Sequence, residues 1–110
     1  MSRKFSYKKQ KIEEKKYTKW FDYDKIKNSP CVRTRRQGDY LTVNSEGGRK
    51  KLNRIFIDEK IPAEMRDRLP VVAAGSEILW IPGGRMNEKY KITSTTGRVL
   101  ELHYQGGALA

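Results

Sequence analysis

A chain of 110 residues with 36% hydrophobic content is the size of one domain with a small core, and a second full domain is not expected in it. Lys and Arg total 24 against 13 Asp and Glu, a formal charge of +11, so anionic partners are expected, nucleic acid first. Cys31 and His103 stand alone, which excludes disulfides within the chain and Cys/His zinc sites, and no apolar run approaches the ~20 residues of a membrane helix.

The start MSRKFSYKKQ lacks the apolar segment of a signal peptide, so the expectation is a soluble, cytoplasmic protein with no membrane partner. The charge is uneven: residues 1–30 carry +6, 31–60 carry +4 and 61–110 carry +1, which places any electrostatic footprint in the first sixty residues.

In chain order, KFSYKKQKI alternates aromatic and cationic residues, with Phe5 and Tyr7 on one face of a strand. EEKKYTK reads as a turn or connector. In WFDYDKI the apolar residues Trp20, Phe21, Tyr23 and Ile26 are anchors on a core or against a neighbouring domain, and NSPC is a turn. CVRTRRQGDYLTV reads as a basic hairpin: Val32 and Thr34 alternate with Arg33 and Arg35, Gly38–Asp39 turns, and Tyr40, Leu41 and Val43 resume a strand.

NSEGG is a loop, after which Leu52, Ile55, Phe56 and Glu59 recur at helical spacing and predict a short amphipathic helix from Lys50 to about Lys60, ended at Pro62. PAEMRDRLP fits a second short helix bounded by Pro62 and Pro70. VVAAGSEILWIPGGRM gives two strands around a Gly-Ser turn, apolar enough for burial on both faces. KYKIT and RVLELHY, joined by STTG, supply a closing strand pair, within which His103 is a partly exposed sheet residue. The end, QGGALA, has no pattern and reads as a frayed or vector-derived tail. The fold class is α+β: mostly antiparallel sheet with two short central helices. The divisions are 1–19, a strand and connector; 20–104, the domain; and 105–110, the tail.

GGRKKL invites comparison with a phosphate-binding loop, but that loop needs Lys followed by Ser or Thr to hold magnesium, and here Lys50 is followed by Lys51 and Leu52. What remains is a glycine pair, Gly47–Gly48, that lets backbone approach a partner, and three cations, Arg49, Lys50 and Lys51, at a helix N-terminus. Each cation there costs about 0.3–1 kcal/mol unless an anion compensates. An RNA phosphate would compensate; a solvated loop is the plainer reading.

Arg33 and Arg35 on one strand face would sit about 7 Å apart, the spacing of successive phosphates, although Asp39 or Glu46 could pair with them instead. Arg36 and Arg54 join the candidate set, with Arg66 and Arg85 as weaker members. Trp20, Trp80, Phe56 and Tyr90 lie in apolar patterns and read as core, not as base-stacking platforms. The carboxylate pairs Asp22/Asp24 and Asp58/Glu59 lie beside lysines, where nothing predicts a raised pKa.

The order RTRRQGDYLTV, GGRKKLNRIFIDEKIP, RDRLPVVAAGSEILWIPGGRM, YKIT, RVLEL resembles the C-terminal domain of bacterial tRNA(Ile)-lysidine synthase over roughly Trp20 to Leu102. The resemblance implies a fold similar to a domain of the phenylalanyl-tRNA synthetase beta chain, with contact to the tRNA acceptor stem. It implies a parent enzyme, a carbon–nitrogen ligase, that uses ATP and magnesium to join lysine to the wobble cytidine of tRNA(Ile), changing codon reading from AUG to AUA. That chemistry belongs to a Ser-Gly-Gly-x-Asp-Ser loop, which this sequence lacks, so no catalysis and no cofactor are expected of this chain. Expected partners are tRNA(Ile), the catalytic domain and, in the parent, a second copy. The family's basic positions fall on Arg33, Arg35, Lys50 and Lys51, with Arg66 and Arg85 also matching. The alternative is an inter-domain or dimerisation module with only nonspecific RNA affinity.

Overall fold

The structure, a computed structural model, describes residues 17–104 and the backbone of 2–6. The strands are β1 (Ser2–Ser6), β2 (Thr18–Asp22), β3 (Cys31–Arg33), β4 (Tyr40–Thr42), β5 (Arg49–Lys51), β6 (Val71–Ala74), β7 (Glu77–Trp80) and β8 (Val99–His103). Helices α1 (Leu52–Asp58) and α2 (Ala63–Arg66) lie between β5 and β6, and short 3-10 turns span Tyr23–Lys25 and Glu88–Tyr90.

The apolar runs on either side of Gly75–Ser76 form the centre of the fold, as their composition implies. β6 and β7 pair in the middle of a five-stranded sheet of order β3-β6-β7-β4-β5, and every residue of β6 is buried. Alternate side chains then serve two cores. Val71, Ala73 and Ile78 pack with Leu52, Ile55 and Phe56 of α1 on one face. Val72, Ala74, Leu79 and Trp80 pack on the other against Phe21, Leu100 and Leu102 of a three-stranded sheet, β1-β8-β2. Strict alternation would send Leu79 and Trp80 to opposite faces. A bulge prevents this: Ala73 pairs with Ile78 and Val72 with Trp80, so Leu79 is the extra residue and both large side chains enter the same core.

Three expectations are corrected. β3 and β4 are not a hairpin: β3 pairs with β6, while β4 pairs antiparallel with β5 and parallel with β7. The turn at Gly38 does exist, with φ +90° and the Asp39 amide donating to Arg36 O, but it leads into a different partner strand. Second, Arg49–Lys51 is strand, and α1 begins only at Leu52. Here the backbone of RKK satisfies its hydrogen-bonding groups across a six-residue loop to β4, where Asn44 Oδ1 accepts from the amides of Glu46 and Gly48. Gly48 has no side chain because Asn44 occupies the space a Cβ would need, at 2.6 Å. Third, KYKIT is not a strand; Asn87 caps a 3-10 turn by accepting from the Lys89 amide, and β8 takes β1 and β2 as its neighbours. The Tyr7 part of the first expected strand, the connector as far as Lys16 and the tail from Gln105 lie outside the described residues.

α1 ends two residues before the expected point. Lys60 adopts φ +59°, its amide donates to Ile57 O, and Ile61 donates to Phe56 O, which closes the last turn in the way a glycine usually does. A left-handed lysine costs about 1 kcal/mol. Lys60→Gly should therefore raise the unfolding free energy by up to about 1 kcal/mol, less the added chain entropy of glycine, as read by urea denaturation.

Candidate nucleic-acid interface

The nine cations nominated by sequence divide by what each side chain touches. Arg33 ends β3 and turns inward. Its guanidinium makes two 2.8 Å hydrogen bonds to the Asp39 carboxylate and two more to Gly75 O and Thr34 O, and its side chain is only 10% exposed. The bonds to Asp39 hold it protonated more firmly than usual, against the opposing effect of burial. Arg35 is no longer on the strand; it donates to Asp67 of the segment after α2 and to Asn53 of α1, at 2.8 and 2.6 Å. The expected one-face pairing of Arg33 and Arg35 is thus replaced by two separate contacts, because the strand stops where Asp39 captures Arg33.

Lys50 faces α1 and pairs with Asp58, which Arg54 also reaches at 3.1 Å. The Lys50 hydrogen bond holds the Asp58 carboxyl below the usual carboxylate range. A depressed folded value means that the pair contributes above the ordinary carboxylate pKa and that the contribution is lost as pH falls through the folded one. By NMR, Asp58 should titrate below a free aspartate, and Lys50→Ala should move its midpoint up. Arg66 and Arg85 donate to the backbone carbonyls of Ile61 and Val43, at 2.9 and 3.4 Å.

Arg36, Arg49 and Lys51 remain. All three are exposed, and none has a carboxylate partner among the described residues. The topology brings them together. Asp39 Oδ2 accepts from the Arg36 amide at 2.7 Å, and Asp39 O accepts from the Leu52 amide at 2.9 Å, directly after Lys51. Lys51 is registered opposite Tyr40, and Arg49 lies two residues along the same face of the edge strand, its guanidinium 4.6 Å from the Tyr40 ring centroid. This is an open basic edge strand that runs directly into the N-terminus of α1, with Lys51 as the N-cap.

Tyr40 is the member that sequence reasoning missed. Its place beside Arg49 depends on the β4–β5 pairing, which nothing in the local pattern announced. His103, by contrast, is where the alternation put it, half-exposed on β8. Its ring meets Thr18 Oγ1 at 2.9 Å and Glu101 at 2.6 Å, and Glu101 also accepts from Trp20 Nε1 at 3.0 Å. Trp20 therefore lies on the outer face of the three-stranded sheet, whereas Phe56, Trp80 and Tyr90 are core. A cleft of about 250 Å³ beside Tyr23, Ile26, Pro30 and Leu100 involves none of the nine cations. Among the described residues no helix is long and apolar enough to cross a membrane.

Residues 31–102 match the family described as the TilS substrate C-terminal domain. The chain is 50% identical over 88 residues, 80% of its length, to a tRNA(Ile)-lysidine synthase of Caldanaerobacter subterraneus subsp. tengcongensis. It is 41% identical over 82% of its length to that of Clostridium tetani. In both cases it spans 19% of the relative's length. A crystal structure of a TilS C-terminal domain superposes with a TM-score of 0.75 at 32% identity, covering 98% of this chain and 82% of that one.

Proposed function

The chain belongs to the TilS substrate C-terminal domain family, and we propose that it is the tRNA-holding part of a tRNA(Ile)-lysidine synthase, seated on the acceptor stem. The observation that supports this is the placement of Arg36 and Lys51, two exposed cations without carboxylate partners on either side of the Asp39–Leu52 hydrogen bond. Cations matched by carboxylates have little left for phosphate; these two release counterions when RNA arrives. Phosphate contacts of this kind fix register, and the shape of the A-form minor groove supplies discrimination.

Arg33 and Arg35 serve this surface as its support, the first through Asp39 and the second through Asp67 and Asn53. In this reading the ligase chemistry, with its ATP and magnesium, belongs to another part of the parent enzyme, and the protein works in the cytoplasm on tRNA(Ile).

The test is binding to a minihelix of acceptor and T stems, beside an anticodon stem-loop, across a salt series. The expected result is preference for the minihelix with a steep slope, and a slope shallower by roughly two in Arg36→Ala/Lys51→Ala. Lys50→Ala, which removes a cation already matched by Asp58, should change it far less. Equal, weak binding to both RNAs would reduce the +11 charge to a nonspecific attractor.

One observation favours a second reading, an interface with the catalytic part or another copy: Val32, 41% exposed on the edge strand β3, is apolar surface, and Trp20 is half-buried on the outer face of the small sheet. A dimer in sedimentation together with weak RNA binding would support that reading over the first.

A further inference from the structure

Among the described residues, three cations lie over aromatic rings: Arg98 over Tyr23 at 4.8 Å, Lys89 over Tyr90 at 5.4 Å and Arg49 over Tyr40 at 4.6 Å. Two of these are electrostatically complete. Arg98 donates to Asp24 at 2.7 Å, and Lys89 lies 3.7 Å from Glu77. Arg49 has no carboxylate and no hydrogen-bond acceptor among the described residues, although it is exposed. Its guanidinium carbon lies over the Tyr40 ring, and its N–H donors are unspent among the described residues.

From this geometry we infer that the Tyr40–Arg49 stack is a platform for a nucleobase, and that its ligand is an unpaired nucleotide at the end of an RNA duplex. A guanidinium held on a tyrosine is a planar, weakly hydrated cation that stacks on bases and donates to their edges. The rotamer entropy a free arginine would lose on binding is already spent in the stack. Lys51, registered beside Tyr40 on the same strand face and about 7 Å from Arg49 by strand geometry, is placed for the adjoining phosphate. Planar cation and point charge at that separation suit one nucleotide, where either alone would be an ordinary surface charge. β5 is the edge strand of the five-stranded sheet, and Arg49 and Lys51 are both exposed on it. Base stacking tolerates any sequence, so the platform adds affinity for a single-stranded end without reading its bases.

This inference rests on the acceptor-stem reading and adds a separate prediction to it. A blunt minihelix and one with a four-nucleotide 3′ overhang are titrated against the full chain, with 2-aminopurine in the overhang as a stacking probe. The native chain should bind the overhang RNA about tenfold more tightly than the blunt one and quench the probe. In Arg49→Lys, which keeps the charge and loses the plane, that ratio should fall to about twofold or less, with the quench lost, whatever happens to blunt binding. Tyr40→Phe keeps the ring and should retain the ratio. No overhang advantage in the native chain, or the same ratio in Arg49→Lys, overturns the platform while leaving salt-dependent blunt binding intact. Failure of both RNAs to bind in a salt-dependent way overturns the acceptor-stem reading, and the platform with it.

Discussion

Asp39→Ala should lower the unfolding free energy by about 3 kcal/mol, a large share of the roughly 5–15 kcal/mol that holds a domain of this kind. Asp39 is 4% exposed and accepts three hydrogen bonds, two from the Arg33 guanidinium and one from the Arg36 amide. Removing it leaves a guanidinium with a 10% exposed side chain without its counter-charge, still bonded to two carbonyls but uncompensated. The control is Asp67→Ala. That carboxylate also pairs with an arginine, but its side chain is 77% exposed, and exposed pairs contribute about 0–1 kcal/mol. Urea denaturation separates the two, and similar losses would mean that the Arg33–Asp39 pair is not the constraint on the loop. A second readout bears on RNA. Asp39→Asn leaves the chain one charge more positive, so charge alone predicts tighter binding to the minihelix. Positioning predicts weaker binding, because asparagine keeps one acceptor for the Arg36 amide but removes the counter-charge of Arg33 and sets a donor against its guanidinium, which loosens the loop; weaker binding is the expected result.

Trp80→Ala should cost about 4 kcal/mol. The side chain is 0% exposed, meets Phe21 at 6.2 Å between ring centroids, and lies where the β7 bulge brings it alongside Leu79 against the three-stranded sheet. Trp80→Phe is the more informative partner experiment. The indole Nε1 is buried without a hydrogen-bond partner among the described residues, and an unmet buried donor costs about 1–3 kcal/mol. Phenylalanine removes that donor while it loses part of the packing, so the loss should be below about 2 kcal/mol. Trp20 remains as the fluorescent reporter in both variants, on the far face of the sheet.

The strands around Gly75 were legible because burial on both faces writes an unbroken apolar run, and α1 because its three buried residues recur at helical spacing. Pairing was not legible. Arg33 and Tyr40 flank a turn, so the short-range expectation joins their strands, but β6 and β7 offer both of them long apolar partners, and β4 takes β5 as well. KYKIT carried one dominant anchor, Tyr90, and a single buried ring fixes a turn as readily as a strand. Its hydroxyl bonds to Glu77, and burial pushes the phenol well above its ordinary pKa. For the basic surface, sequence identified the cations and offered Asp39 as a counter-charge for the arginines of β3, but it did not point to Asp58 or Asp67. The folded chain reveals that Arg33, Arg35, Lys50 and Arg54 are all matched. The same blindness hid Tyr40 beneath Arg49.

The position of β8 between β1 and β2 governs the order in which the protein can assemble. The core around α1 draws on residues 41–81, a continuous stretch that closes over modest loops, whereas the other joins Phe21 to Leu100 and Leu102. Until residues 99–103 arrive, neither outer strand of the small sheet has a neighbour, and Trp80 has only half its cover. At synthesis rates of about 5–20 residues per second, a nascent chain holds that apolar face open for seconds after the helical half has formed. The small sheet is the last part to form and, by the same topology, the first to open. Substitutions in β8 should therefore appear chiefly as faster unfolding, with refolding rates set by the α1 half.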